Sequence, residues 1–317
     1  MNLEQVRALA AIVDTGSFEL AARSLHLTPS AVSQRVRALE TSVGQVVVRR
    51  GNPCTPTEAG AVLVRLARQV ELLEDESRDL LGVTRRAPVT LRVAVNADSL
   101  DTWLVHLLEA ASSWDDSRLR FTIVDEDHSL TLLREGAVGA AITTESAQVP
   151  GCRSFPLGTM RYVPVASPTL VSRFSLPSGE PDWERLPALR YDDNDELQEL
   201  YLAAREVASA SPPSQIPSAP GLRAALIAGL GWLFVPEDTV GADLAEGRLV
   251  TLSDDVVDIP LHWHVWKVPS HRLERLNDAV VAAAREGLRP IGEPHRPPAR
   301  PQARMRHQDL VGARRGM

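Results

Sequence analysis

The sequence predicts a winged helix-turn-helix, then a long linker helix, then a two-lobed α/β domain. Three observations predict this order. Short, well-capped amphipathic segments fill residues 1–44, one apolar stripe at helical spacing covers residues 59–80, and strand-like apolar runs alternate with helical segments beyond Pro88. The 317 residues suffice for two or three compact units. The expected divisions are 1–58 (winged helix-turn-helix), 59–88 (linker helix and hinge), 89–289 (ligand-binding domain) and 290–317 (disordered Arg/Pro-rich tail).

Charge is distributed unevenly along the chain, whose net charge is −7. Residues 1–50 carry six Arg against four acidic side chains, and residues 290–317 carry six against two. The segment 87–289 carries 17 Lys and Arg against 29 Asp and Glu. Any contact with DNA is therefore expected at the ends, whereas a cationic ligand suits the acidic middle.

Several function classes lack the features they require. No apolar run approaches the ~20 residues of a membrane span, and the N-terminus lacks the features of a signal peptide, so a cytoplasmic protein without membrane contact is expected. Cys54 and Cys152 have neither disulfide-framework nor zinc spacing, and His128, His262 and His264 show no metal-ligand spacing. Without a nucleophile elbow or phosphate-binding loop, we expect no enzyme, no cofactor and no metal.

Three short helices open the chain. Asn2 caps the first helix and Gly16 ends it, Ser17 caps the second, and Thr28 caps the third, which has Pro29 at its first position. A tight turn between the second and third helices makes a helix-turn-helix, whose third helix would enter the major groove of DNA.

The outward face of the third helix carries hydroxyl, amide and guanidinium groups without a carboxylate, which suits contact with phosphates and base edges. Residues 44–54 indicate a short β-ribbon, the wing, whose arginines would reach the DNA backbone. The alternative is a solvated polar face, since three-helix clusters also occur in proteins that never touch DNA. The candidate DNA-binding residues are Ser17, Thr28, Pro29, Ser30, Ser33, Gln34, Arg35, Arg37, Arg49 and Arg50.

The linker helix is predicted to begin at Thr55-Pro56-Thr57-Glu58, a capping box with proline at the first helical position. Apolar residues then recur in steps of four and three, which is typical of a helix that pairs with a copy of itself. The alternative is that this stripe packs on the protein's own core. Residues 82–88 would end the helix and form a hinge, and the candidate dimerisation residues are Leu63, Leu66, Val70, Leu73 and Leu80.

Strands and helices alternate in the remaining chain, which favours a parallel sheet. We expect the chain to pass between two lobes near Tyr162 and to return near Trp266, leaving a crevice between them. Lobe I would then comprise about 89–162 and 267–289, and lobe II about 163–266. The predicted strands are 90–95, 119–124, 138–142, 161–166, 187–191, 232–237 and 261–268, with a last helix at 270–287.

Ligands of open parallel sheets bind beyond the carboxyl ends of the strands. Asp98 and Ser99 follow the first strand and could hold the ammonium and carboxylate groups of an amino acid, or they could simply cap the next helix. Acidic residues after the second strand suit a basic side chain, with surface solvation as the alternative. Loop solubility is the alternative for the lobe II residues. The effector candidates are Asn96, Asp98, Ser99, Asp125, Asp127, Thr143, Thr144, Asp193 and Ser218, whereas Trp103, Trp232, Trp263 and Trp266 are expected in the core.

Several segments carry a family resemblance. FELAARSLHLTPSAVSQRVRALETSVGQVVVRR closely resembles the DNA-binding motif of LysR-type transcriptional regulators, and TPTEAG is similar to the family's next landmark. AVNADSLDTW, EDHSLTLLREG, VPGCRSFPLGTMRYVPVAS and GLGWLFVPE look like the lysine- and arginine-responsive LysG and ArgP branch. The resemblance covers residues 1 to about 290.

The resemblance implies a regulator that binds an operator in double-stranded DNA, senses lysine or arginine, works with RNA polymerase and activates an amino-acid exporter gene. It implies a homodimer or homotetramer, and a binding domain like that of periplasmic binding proteins. The alternatives are a LysR-type regulator of another small effector and a DNA-binding inhibitor of replication initiation. A solute-binding receptor is a different class, but such receptors require export and have no use for a helix-turn-helix.

Overall fold

The computed structural model describes residues 1–83, 88–124, 126–209 and 211–292, without the side chains of Glu126 and Asp127. The predicted ligand contacts of Asp125 and Asp127, most of the hinge, and nearly all of the Arg-rich tail lie outside this description.

The N-terminal helices form where their caps predict them. Asn2 caps the first helix in a capping box, and the Ser17 and Thr28 side chains accept from Leu20 N and Ala31 N at 3.1 and 3.2 Å. Gly16, at φ 74°, ends the first helix in the left-handed conformation that glycine adopts without strain. The helices are α1 (Leu3–Thr15), α2 (Phe18–Ser24) and α3 (Pro29–Val43).

The wing differs from its predicted position. Strands β1 (Val48–Arg49) and β2 (Thr55–Pro56) pair antiparallel, so Thr55 and Pro56 belong to the ribbon and do not start a helix. Helix α4 (Glu58–Leu80) begins later, with the Thr57 side chain accepting from Gly60 N at 3.1 Å. Thr57 also donates through its hydroxyl to the Val46 carbonyl at 2.7 Å and through its backbone to Val47, which keeps the preceding residues in the ribbon.

The predicted dimerisation stripe of α4 divides into two parts. Leu63 is 8% exposed and belongs to the core of the N-terminal domain, so for this residue the alternative of intramolecular packing applies. Leu66 and Val70 are half-buried, whereas Leu73 and Leu80 are 38% and 90% exposed. The free apolar surface therefore lies toward the C-terminal end of the helix.

Seven of the remaining strands in the described residues form one mixed sheet with the order β10-β6-β11-β5-β3-β4, in which β9 also pairs with β6, while β7 and β8 pair in a separate two-stranded sheet. Within the mixed sheet, only β3, β4 and β5 of the described strands run parallel to one another, so a fully parallel sheet was a wrong expectation. The strands are β3 (Val89–Val95), β4 (Ser117–Ile123), β5 (Ala140–Thr143), β6 (Cys152–Ala166), β7 (Leu189–Arg190), β8 (Ser214–Gln215), β9 (Leu233–Pro236), β10 (Val250–Thr251) and β11 (Val257–Trp266). The helices are α5 (Ala97–Asp101), α6 (Val105–Ala111), α7 (Glu126–Arg134), α8 (Pro168–Arg173), α9 (Leu197–Ala203), α10 (Ala219–Ala228), α11 (Glu237–Ala245) and α12 (His271–Gly287).

Long strands connect the two lobes. The chain leaves the first lobe along β6 near Tyr162, as predicted, but it returns near Val257, which lies opposite Tyr162 in the antiparallel pair of β6 and β11. Trp266 pairs with Cys152 at the far end of the same ladder, so the predicted return near Trp266 was wrong by about the length of a strand. Residues 261–266 of the predicted strand LHWHVWKV fall within the expected lobe II, whereas they lie in the first lobe because β11 also pairs with β5.

The first lobe is built from two separate stretches of chain. Leu273, Leu276 and Val280 of α12 lie in the same buried cluster as Val93 and Leu107. Trp103, Trp232, Trp263 and Trp266 are each at most 4% exposed, which confirms that they are core residues. Among the described residues, no helix combines the length and apolar character needed to cross a membrane.

Candidate ligand crevice and DNA-binding face

The first residues of α2, the first turns of α3 and the wing enclose a depression of about 560 Å³. Ser17 and Phe18 line it from α2, Ser30 and Ser33 from α3, and Arg50 from the wing. The Arg50 guanidinium lies 5.0 Å from the centre of the Phe18 ring, a cation–π contact that holds the wing arginine beside the helices. Five of the candidate DNA-binding residues, Pro29 included, thus share one surface.

The other DNA-binding candidates have different surroundings. Gln34, Arg37 and Arg49 are exposed. Arg35 forms an ion pair with Glu4 of α1 at 3.0 Å, so its charge is already compensated within the domain. The Thr28 hydroxyl caps α3 and lies 3.0 Å from that of Ser30.

The carboxyl ends of β3, β4 and β5 meet at one edge of the sheet, as parallel strands require. Asn96 follows β3 and caps α5 by accepting from Ser99 N at 3.3 Å, while Thr143 ends β5. Ser99 is fully buried, and its hydroxyl oxygen lacks a partner among the described residues. A buried hydroxyl without a partner favours a polar ligand at this edge.

Asp98 lies where the lobes meet. Its carboxylate accepts a hydrogen bond from the Tyr162 hydroxyl at 2.7 Å, at the point where β6 leaves the first lobe. Burial raises the pKa of Asp98, and the charges of Asp195 and Asp101 act in the same direction, against the hydrogen bond from Tyr162. A cation placed beside this carboxylate would relieve its desolvation.

The second lobe contributes a further carboxylate through Asp195, which precedes α9. Its oxygens accept from Tyr191 N at 2.8 Å and from the Gln198 amide at 3.3 Å. The negative charge of Asp195 contributes to the raised pKa of Asp98. Acidic groups from both lobes therefore act at the same crevice. This acidic pair suits a ligand with more than one positive group.

The other effector candidates are less directly connected to this edge. Thr143 is buried, and its hydroxyl accepts from Glu145 N at 3.1 Å, while Thr144 is half-buried. Asp193 is exposed and pairs with Arg190 at 2.6 Å. Ser218 is exposed and caps α10 through Gly221 N at 3.2 Å.

Sequence reasoning missed the junction between α4 and the first lobe. Arg272 is fully buried and pairs with Glu76 and Asp79 of α4 and with Asp116 before β4. His271 contacts the same Glu76. Glu76, Asp79 and His271 have the spacing of a metal site, but the Arg272 guanidinium already pairs with both carboxylates. We interpret this cluster as a contact that docks α4 onto the first lobe.

A cavity of about 630 Å³ lies in this junction, lined by residues that include Leu72, Leu91 and Trp266. Its described lining contains none of the effector candidates. The buried polar groups Asp98 and Ser99 lie at the strand-end crevice and not at this cavity.

Comparison with known proteins identifies the family. Residues 3–61 match the family of bacterial regulatory helix-turn-helix proteins of the lysR type, and residues 85–289 match the LysR substrate binding domain. The chain belongs to the LysR family. The winged helix-turn-helix and the two-lobed α/β domain are therefore confirmed, as is the resemblance derived from the sequence motifs.

Relatives in the LysR family extend over most of the chain. A lysine export transcriptional regulatory protein LysG from Corynebacterium efficiens is 45% identical over 91% of this chain and 100% of its own length. The full-length LysG structure from Corynebacterium glutamicum with bound effector Arg has a TM-score of 0.77 and 41% identity, covering 92% of this chain and 100% of that one. The ArgP structure from Mycobacterium tuberculosis has a TM-score of 0.80 and 43% identity, covering 90% and 98%.

Proposed function

We propose that this LysR-family protein senses lysine or arginine in the crevice between its lobes and activates transcription of an amino-acid exporter gene. It would bind an operator as a homodimer or homotetramer, act on RNA polymerase in the cytoplasm, and carry out no catalysis. The observation that carries the proposal is the bound arginine of the 41% identical LysG relative, combined with the buried carboxylate of Asp98 at the strand-end edge of this chain.

The chemistry of the crevice supports a basic amino acid. Asn96 caps α5 and Ser99 lies in its first turn, where a buried hydroxyl without a partner among the described residues suits a carboxylate group. Asp98 and Asp195 suit ammonium or guanidinium groups, since charge-assisted hydrogen bonds to a carboxylate are the strong ones. A neutral amino acid would leave one of these carboxylates without a counter-charge.

Titration calorimetry on the purified full-length protein tests the ligand. We expect lysine, arginine or both to bind, and leucine and glutamate to give no heat of binding. Failure of both basic amino acids would contradict the effector assignment and favour another small effector.

Selection of bound fragments from the protein's own genome tests the regulatory role. We expect the enriched fragment to contain a promoter next to an exporter gene, and in vitro transcription from it to rise with the bound amino acid. Enrichment of the replication origin would instead favour control of replication initiation.

A further inference from the structure

Two elements reach from the ligand crevice to the opposite edge of the sheet. Strand β3 ends at Val95, directly before Asn96 of the crevice, and Arg92 lies in the middle of the strand. Helix α7 begins beside the same strand ends and closes in the loop at Gly136. Both elements are held in the first lobe's buried core, β3 by Val93 and α7 by Leu133.

At that opposite edge, the loop after α7 contacts Arg68, and Arg92 of β3 contacts Asp14, the partner of Arg68. The Arg68 guanidinium of α4 donates to the Gly136 carbonyl with one nitrogen and to the Asp14 carboxylate of α1 with another. Arg92 lies 3.3 Å from the second oxygen of Asp14. The Arg68 side chain is 7% exposed, so the contact is shielded from water.

The backbones approach closely at the same place. Gly136 has φ 73°, and a Cβ there would lie 2.5 Å from the Cα of Arg65 on α4. Arg65 itself donates to the Pro150 carbonyl at 2.8 Å. Since backbone atoms cannot yield as a flexible side chain can, the loop after α7 cannot move toward α4 without moving it.

Asp14 belongs to the helix-turn-helix domain. It lies in the last turn of α1, whose Leu9 and Ile12 share one buried cluster with Val32 and Val36 of α3. A displacement of α1 at Asp14 therefore acts on the helix that carries the DNA-binding candidates.

We propose that Arg68 is the positioning residue that couples ligand binding in the crevice to operator binding, by joining Asp14 to the first lobe at Gly136 within one chain. This inference rests on the proposed function. Ligand binding at Asn96–Ser99 shifts β3 and the start of α7, and these two elements move Arg92 and the loop at Gly136 with them. Because Arg68 bonds both sides, the shift reaches α1 and α3 instead of being absorbed between the domains.

The test compares the operator dissociation constant with and without saturating lysine or arginine, using the genomic fragment selected as above. Asp14→Asn removes the charge at constant shape, and Arg68→Lys offers one compact ammonium where a planar fork makes two contacts. In both variants we expect the ratio of the two constants to move at least threefold closer to one. The dissociation constant of the amino acid in the absence of DNA should stay within twofold of the parent, because the crevice is untouched.

Arg78→Gln is the matched control, since Arg78 lies on the same helix, is 57% exposed and pairs with Asp75 at 3.3 Å. It should keep the parent's ratio. Gly136→Ala adds a Cβ at the junction without altering a charge, and it should also change the ratio of the two operator dissociation constants. If Asp14→Asn and Gly136→Ala both keep the parent's ratio, the inference is overturned even if Arg68→Lys fails to fold. A parent that binds neither amino acid would overturn the proposed function, and this inference with it.

Discussion

The predicted ligand binding can be tested at single residues, and most directly at Asp98. Asp98→Asn should abolish binding of lysine and arginine, because removing one partner of a desolvated charge pair costs several kcal/mol. Operator binding without ligand should persist, since the helix-turn-helix is remote. Calorimetry and operator binding measure the two effects. Asp101→Asn removes an exposed carboxylate from the same helix and should bind as the parent does; ligand binding by Asp98→Asn at the parent's affinity would exclude Asp98 from the site.

The raised pKa of Asp98 also predicts a pH dependence. A carboxyl group that holds its proton more tightly when folded favours folding below its ordinary pKa of about 3.9, and that contribution is lost as the pH rises through the raised pKa. The ligand-free parent should therefore lose stability relative to Asp98→Asn as the pH rises above about 4. Thermal unfolding midpoints of both proteins across this range measure the difference, and parallel curves would contradict it.

DNA recognition is testable at two side chains of α3. Ser33→Ala and Arg37→Ala should each weaken operator binding by about 1–3 kcal/mol at fixed salt, because each removes a hydrogen-bonding group from the helix predicted to enter the major groove. Gel-shift affinities measure this loss, and calorimetry should show ligand binding intact. Arg173→Ala, an exposed arginine of lobe II, should leave both unchanged. Parent-like affinity in both α3 variants would refute the recognition-helix assignment.

Whether a residue's environment could be predicted depends on how far away its partner lies. The caps at Asn2, Ser17 and Thr28 were readable because each bonds a backbone amide three residues on. The Tyr162 bond to Asp98 spans 64 positions, and the Arg68 bond to Asp14 spans 54. Periodicity carries no information about such pairs, which only the folded topology brings together.

At the scale of elements, α4 has apolar surface left over for a partner. Leu73→Glu combined with Leu80→Glu should give monomers with weakened operator affinity, since charges would enter the expected helix pairing and two half-sites would no longer be held together. Light scattering measures the mass. Leu200→Glu, at a leucine of α9 that is 62% exposed, is the control for an added surface charge. An unchanged oligomer in the double variant would refute pairing through α4.

The errors in the element prediction share a cause. Thr55-Pro56-Thr57-Glu58 satisfies a local capping pattern twice over, and the wing decides between Thr55 and Thr57 through bonds to Val46 and Val47. In the same way, an apolar run such as β11 predicts a strand without predicting its direction. The direction of the strand depends on the lobe from which the chain enters it, and this is set by the topology of the whole chain.

At the scale of the molecule, Arg272 connects the linker helix to the first lobe. Arg272→Met should destabilise that contact by about 3–5 kcal/mol, because Glu76 and Asp79 would lose the buried guanidinium that pairs with both. A lower thermal midpoint and faster amide exchange in residues 72–80 measure this. Arg78→Gln, an exposed pair on the same helix, should cost less than about 0.5 kcal/mol. Equal exchange rates in the parent and Arg272→Met would contradict the docking role.

The discontinuous first lobe sets an order of events on the ribosome. The helix-turn-helix and wing, with the α4 residues Leu63, Val64 and Ala67 that complete their core, lie within the first 67 residues, so they can fold early in synthesis. The first lobe must wait for α12, whose Leu273, Leu276 and Val280 fill its core and whose Arg272 fastens α4. A chain whose synthesis stops before residue 271 would have a folded helix-turn-helix and wing but an incomplete first lobe. Control of DNA binding by the ligand domain is therefore acquired last in synthesis.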